Sequence, residues 1–310
     1  MENILKMLEN CELCPRQCGV NRLKGQKGYC GAGGKVIVAH YGSHHGEEPP
    51  ISGKAGSGTI FFSFCNLRCI FCQNYQISHD GMGQEISLKR LTEIFLELQS
   101  RGCHNINLVS PVSYIPHIAV AIADAKKEGL TIPVVYNTNA YESIGALRAL
   151  EGLIDIYLPD FKYWNPTVAE KISGIPKGKP YPDFAKETLL EMKRQVGDLV
   201  VEDEIATRGL LVRHLVLPGG LAGSKEIFQW IRQNLGTETF ISLMSQYYPV
   251  HKANTVPLLR RKIRQEEYDM VVDCLVNAGF KNVFIQERTS APLFVPDFEE
   301  SEPFKYSDEK

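Results

Sequence analysis

From Ile60 onward, short apolar runs alternate with stretches of helical period, and this alternation restricts the fold more than any other feature. The runs are IFFSF, INLVS, PVVYNT, IDIYLPDF, LLVRHLVLP, FISLMSQYY and NVFIQE. Between them lie segments such as SLKRLTEIFLELQSRG, where Leu88, Leu91, Ile94, Phe95 and Leu98 share one face. Ser87 has the chemistry of an N-cap there, and Gly102 that of a stop. PHIAVAIADAKKEG and SKEIFQWIRQNLG repeat the arrangement, each ending in Gly before the next apolar run. Strand and helix in strict alternation predict parallel βα units. Six or seven units predict an α/β fold, a partial (β/α)6-type parallel barrel. A doubly wound sheet is the alternative, but its first strand usually runs into a Gly-rich phosphate turn. Here the first strand runs into three cysteines.

The 310 residues suffice for a barrel plus an appendage, and 44% hydrophobic content supplies a sizeable core. A net charge of −2 without a long basic run argues against a protein built to neutralise nucleic-acid phosphates. No apolar stretch approaches the roughly 20 residues that span a bilayer. The N-terminal MENILKMLENCELC lacks the apolar core of a signal peptide. These features predict a cytoplasmic protein.

Nine cysteines are present, and seven fall within the first 72 residues. Clustered cysteines at short spacing in a reducing compartment point to metal rather than disulfides. Cys103 and Cys274 stand apart and suit small core positions. The division expected is a Cys-rich metal-binding module and linker over 1–50, a barrel over 51–290 and a tail over 291–310. Within it, a short helix over Asn3 to Leu8 precedes Cys11. Tyr41 to Thr59, rich in Gly, Pro, Ser and Thr, reads as a linker without an element of its own. The acidic end, PDFEESEPFKYSDEK, reads as a solvated terminus.

Chemistry in a parallel barrel gathers at the C-terminal ends of its strands. Cys65-Asn-Leu-Arg-Cys69-Ile-Phe-Cys72 occupies that place after the first strand. Three thiolates in one tight loop suit an iron–sulfur cube with one iron left for a substrate. The competing reading is a zinc site that borrows His44, His45 or His79 as fourth ligand, in a barrel that binds a partner without catalysis.

With this C-x3-C-x2-C loop the sequence resembles the radical S-adenosylmethionine superfamily, and within it proteins related to pyruvate formate-lyase activating enzymes. The likeness includes CELCPRQCGVNR, EEPPISGKAGSGTIFFSFCNLRCIFCQNYQIS, YLPDFKYW, RHLVLPG and SQYYP, from Cys11 to about Pro249. It implies a [4Fe-4S] cluster on Cys65, Cys69 and Cys72, with S-adenosylmethionine chelating the fourth iron. Reductive cleavage would give methionine and a 5′-deoxyadenosyl radical that abstracts hydrogen from a substrate. The electron would come from a flavodoxin- or ferredoxin-type donor. The substrate is either a glycyl-radical partner protein or another protein, peptide, RNA or metabolite.

Further residues follow from the likeness. Phe71 matches the aromatic whose backbone approaches the adenine. Asp160 and Lys162 match an Asp-x-Lys at the fourth strand end, Arg213 an arginine on the fifth, and His251 lies near a histidine after the sixth. Arg or Lys can hold a carboxylate, and Asn139 or Asp160 can bond ribose hydroxyls. The relatives' Gly-Gly-Glu-Pro after the second strand is replaced by Val109-Ser110-Pro111-Val112, so either Ser110 and nearby carbonyls bind the amino group instead or the cofactor sits differently. His214, among Val212, Leu215 and Val216, reads as a satisfied core histidine. Cys11, Cys14, Cys18 and Cys30 supply four thiolates, which fit zinc or a second, closed iron–sulfur cluster equally well.

Overall fold

The computed structural model describes residues 4–287 and 295–304. Its strands are β1 (Val36–His44), β2 (Ser57–Phe62), β3 (Gln84–Ile86), β4 (Ile106–Val109), β5 (Val134–Thr138), β6 (Ile156–Pro159), β7 (Val200–Glu202), β8 (Ile205–Leu215), β9 (Phe240–Met244) and β10 (Val283–Ile285). They form one sheet in the order β10-β9-β8-β6-β5-β4-β2-β1-β3, with β7 hairpinned onto β8. The run from β2 to β10 is parallel throughout. All seven apolar runs are therefore strands of the expected partial barrel. β1 and β3 extend its β2 edge in antiparallel fashion.

The intervening helices cover the outer face. In Leu88–Ser100 the Ser87 hydroxyl accepts the Arg90 amide at 3.1 Å, while Leu91, Ile94, Phe95 and Leu98 are buried. Gly102 closes the segment with φ of 83°. A free end in the middle of a packed barrel is thus avoided by a local hydrogen bond rather than by water.

Three expectations are corrected. The expected linker carries structure: Tyr41 to His44 pair with Ser57 to Ile60 as the end of β1, and Pro49–Ser52 form a helical turn. The strand partner supplies backbone hydrogen bonds that composition cannot announce, and Ile51 is fully buried. The expected N-terminal helix is a 3-10 turn over Leu5–Leu8, with residues 1–3 outside the described part. The acidic end is not simply solvated. Phe298 and Phe304 pack on Phe61 with ring centroids 5.5 and 5.1 Å away, because two aromatic rings gain more from that apolar face than the flanking carboxylates lose. Residues 305–310 of that end lie outside the described residues.

The Cys-rich segment and the barrel share one core: Leu8, Leu13 and Ala32 belong to the same buried cluster as Phe95, Tyr136 and Phe228. No helix among the described residues is long and apolar enough to cross a membrane.

Candidate active site

The inward residues of the barrel fall in layers, because alternate residues of a strand face the same side. Val135, Leu158 and Leu211 form an apolar floor with Ile51. Two residues further on, Asn137, Asp160 and Arg213 form a polar belt. Arg213 Nε donates to Asp160 Oδ1 at 2.9 Å, Nη2 to Asn137 Oδ1 at 3.0 Å and Nη1 to Glu47 Oε2 at 3.2 Å. Lys162 Nζ donates to the other Asp160 oxygen at 2.6 Å. Burial opposes ionisation of Asp160, but the Arg213 and Lys162 charges outweigh it and hold its carboxyl below the usual aspartate range. Above this belt lies the cysteine loop, and beside it opens a cavity of about 460 Å³ that Gln73, Asn74, Asn137 and Arg213 help to line. That volume suits a ligand of nucleoside size. Phe304 and Phe61 wall it on the side where the sheet stays open.

The loop itself is fixed from several directions. Arg68 and Ile70 amides donate to Ser173 and Ile172 carbonyls at 2.9 Å each, and the Cys72 amide turns back to Cys69 O at 3.1 Å. Every thiol has a hydrogen-bonding companion. Asn139 Nδ2 donates to Cys65 Sγ at 3.3 Å, Ser173 Oγ lies 2.9 Å from Cys69 Sγ, and Ser78 Oγ lies 3.2 Å from Cys72 Sγ. Burial pushes the free thiols up, Cys65 to about 11 and Cys72 to about 12. Neither is a thiolate nucleophile by itself; both need a metal to take the place of the proton. Among the described residues no three Cys, His, Asp or Glu side chains converge closely enough to hold one metal ion. Three thiols spread round one loop, each beside an amide or a hydroxyl, suit a polynuclear cluster. His44 lines the cavity, whereas His79 stands edge-on to His251.

The other expected residues have definite places. Phe71 is buried against Tyr247, ring to ring at 5.6 Å. Asn139 binds Asn66 Oδ1 at 2.8 Å as well as Cys65, so its amide supports the loop. Ser110 ends β4 with φ of 58° and its amide donates to Asn137 O at 3.0 Å. His214 is fully buried, with Nδ1 donating to Phe161 O and Nε2 accepting from Ser224, both at 2.8 Å. It is the core histidine expected. His251 stacks on Tyr75 at 4.9 Å, outside the residues that line the cavity. Cys103 is buried in the core and Cys274 packs against it. Cys11, Cys14, Cys18 and Cys30 surround one small pocket with Arg22 and Asn66.

Sequence reasoning missed Asn66, Ser173, Glu47 and Glu48. The last two had a visible signal, paired carboxylates immediately before two prolines, but composition assigned them to a linker.

A parallel part-barrel with a three-thiol loop at the carboxyl end of an early strand, opening on a nucleoside-sized cavity, defines a class of iron–sulfur proteins built around a cofactor pocket. Residues 59–210 match the family model described as the Radical SAM superfamily. A protein of Methanocaldococcus jannaschii, MJ0674, is 30% identical over 283 residues, spanning 88% of this chain and 75% of the relative. The chain belongs to the radical S-adenosylmethionine superfamily. Membership implies a [4Fe-4S] cluster and S-adenosylmethionine.

Among solved structures, HydG, a maturase of the [FeFe]-hydrogenase, superposes with a TM-score of 0.51 at 14% identity, over 74% of this chain and 52% of that one. Streptococcus suis SuiB bound to S-adenosylmethionine gives 0.50 at 12% identity, over 73% and 49%. These likenesses carry the fold alone. The chain spans about half the length of these solved proteins.

Proposed function

We propose that this chain is a radical enzyme whose cluster is held by Cys65, Cys69 and Cys72 and whose substrate enters the barrel cavity. The carrying observation is the position of three partly buried, hydrogen-bonded thiols on one loop beside that cavity. When bound, the cluster supplies an electron that splits S-adenosylmethionine into methionine and a 5′-deoxyadenosyl radical able to take hydrogen from a substrate. The chain's own residues do the rest. Asn139, Ser173 and Ser78 stabilise the thiolates, and buried Phe71 helps to seal the loop. Asp160, Lys162 and Arg213 hold a fixed set of charges where ribose hydroxyls or a carboxylate would lie, with Ser110 at the strand end nearest the missing glutamate. A glycyl-radical protein is one substrate class, and a flavodoxin or ferredoxin type of donor fits the one-electron requirement. Nine thiols without a disulfide suit the cytoplasm.

The test is anaerobic reconstitution followed by iron, sulfide and visible absorption measurements and an assay for 5′-deoxyadenosine. Cys69→Ala removes one of only three ligands and is expected to abolish both the absorption and the cleavage. Full retention of either rules out the assignment.

The same reading places a second metal centre on Cys11, Cys14, Cys18 and Cys30. It is supported by four thiols around one pocket, by Arg22 Nη1 lying 4.0 Å from Cys11 Sγ, and by the tightness at Gly28, where a Cβ would stand 2.9 Å from Cys18 Sγ. Four protein ligands leave no coordination position for substrate, so this centre would be structural or relay electrons. Metal analysis of Cys14→Ala/Cys18→Ala decides its nature: zinc lost alone means a structural site, about four irons lost means a cluster. Unchanged metal content means free thiols.

A further inference from the structure

The polar belt of the barrel is not electrically balanced. It contains three carboxylates, Glu47, Glu48 and Asp160, against two cations, Lys162 and Arg213. Asp160 is bound by both cations, and Glu47 takes the remaining Arg213 nitrogen. Glu48 is left over. It is only 8% exposed, it lines the cavity, and its Oε2 is buried without a hydrogen-bond partner among the described residues. His44 on the same wall does not restore the balance, because burial drives its pKa down to about 4 and leaves the ring neutral.

A desolvated carboxylate oxygen facing a ligand-sized space is costly unless the ligand completes it. Burial pushes Glu48 up and the neighbouring Glu47 charge adds to this, while Arg213 and, to a smaller extent, its own backbone amide and Ser242 oppose it. A neutral donor would satisfy the lone pair but leave the charge uncompensated; an anionic guest would increase the cost. Pro49 and Pro50 follow directly and start the helical turn that Ile51 anchors in the floor, so the carboxylate cannot easily withdraw to solvent.

We propose that Glu48 is the receptor for a compact organic cation carried by the ligand in the barrel cavity. The cation is an ammonium group of the substrate or the sulfonium of S-adenosylmethionine; both present a small positive centre to one carboxylate oxygen. The inference deepens the radical-enzyme reading by giving its cavity a charge preference, and it rests on that reading only in taking the cavity as the ligand site.

The experiment is calorimetric titration of the full-length, anaerobically reconstituted protein with two matched pairs of probes. S-adenosylmethionine is compared with S-adenosylhomocysteine, which lacks the sulfonium charge. n-Butylammonium is compared with n-butanol, both in saturating S-adenosylhomocysteine. Wild type is expected to prefer the cation of at least one pair by about tenfold, the size of one charge-assisted hydrogen bond. Glu48→Gln is expected to abolish that preference while binding the neutral partner as before. Loss in the first pair assigns the cation to the cofactor, and loss in the second assigns it to the substrate.

No preference in wild type, or an unchanged preference in Glu48→Gln, overturns the proposal. The wild-type comparison decides on its own if the variant does not fold. Iron content and 5′-deoxyadenosine formation in the same preparations separate the two readings. A protein that cleaves S-adenosylmethionine without any cation preference refutes the Glu48 receptor alone, and one that prefers cations but assembles no cluster refutes the radical enzyme alone.

Discussion

Arg213 joins three partners in the belt: Asp160, which it shares with Lys162, Glu47 and the Asn137 amide oxygen. Arg213→Ala strands Glu47 in a desolvated belt and leaves Asp160 to Lys162 alone, and is expected to cost about 3–5 kcal/mol in urea unfolding, whereas Arg213→Lys keeps the charge and loses the fork. Glu142 behaves in the opposite sense. It accepts from Tyr136 Oη at 3.1 Å and from the Thr138 hydroxyl, yet burial pushes its carboxyl up to about 7. The folded protein therefore keeps a proton that the unfolded chain has lost above the ordinary glutamate value. Stability should fall as pH rises from about 4.5 towards 7, by on the order of 3 kcal/mol from this group. In Glu142→Gln that component disappears, and unfolding midpoints measured across the window should flatten. Asp160, Lys162 and Arg213 were legible because strand ends of a parallel barrel are where polar side chains point inward. Glu142 and Asn66 were not, since a buried polar side chain looks like any other in sequence.

At the scale of elements, those inside the regular strand–helix alternation declared themselves and the short strands outside it did not. Helix Leu88–Ser100 shows both its cap and its face in sequence, and replacing Ser87 by Ala should cost about 1 kcal/mol in thermal or urea melts. β3 and β7 have three residues each, and no periodicity survives in so few. β1 alternates only as far as Val38 and then runs through His40, Tyr41, Gly42 and Ser43, so its pairing comes from β2 rather than from its own composition. The turn over Gly28 makes a sharper test. Gly28→Ala drives a methyl into Cys18 and should reduce any metal bound at the centre proposed for the N-terminal cysteines, with absorption from the Cys65 loop preserved. Equal loss from both sites would mean that the two are not separable.

Across the whole molecule the Cys-rich segment is part of the core. Arg22 is 1% exposed, with its guanidinium donating to Gly33 O and, at 2.6 Å, to Ser113 O on the barrel. A barrel deprived of residues 1–34 would lose Leu8, Leu13 and Ala32 from the main apolar cluster. We expect such a truncation to show no cooperative melt by circular dichroism, and the intact chain to unfold in one transition. Sequence reasoning saw the barrel and the cysteines separately, because nothing in their spacing reveals that one buries the other.

Two arginines tie these parts in opposite directions. Arg16 reaches from the N-terminal segment to Asn66 O at 2.7 Å and Gly174 O at 2.6 Å. Arg68 reaches back from the three-cysteine loop to the Tyr29 and Cys30 carbonyls at 3.2 and 3.1 Å. Cys18, on the same segment, is exposed. In air, then, corrosion has a point of entry and a route: an oxygen lesion that begins at Cys18 and slackens its segment also slackens the backbone beside Cys65. A sample left on the bench should lose its thiols in sequence, Cys18 before the Cys65 loop, and a brief exposure that spares the inner loop should already shorten its working life.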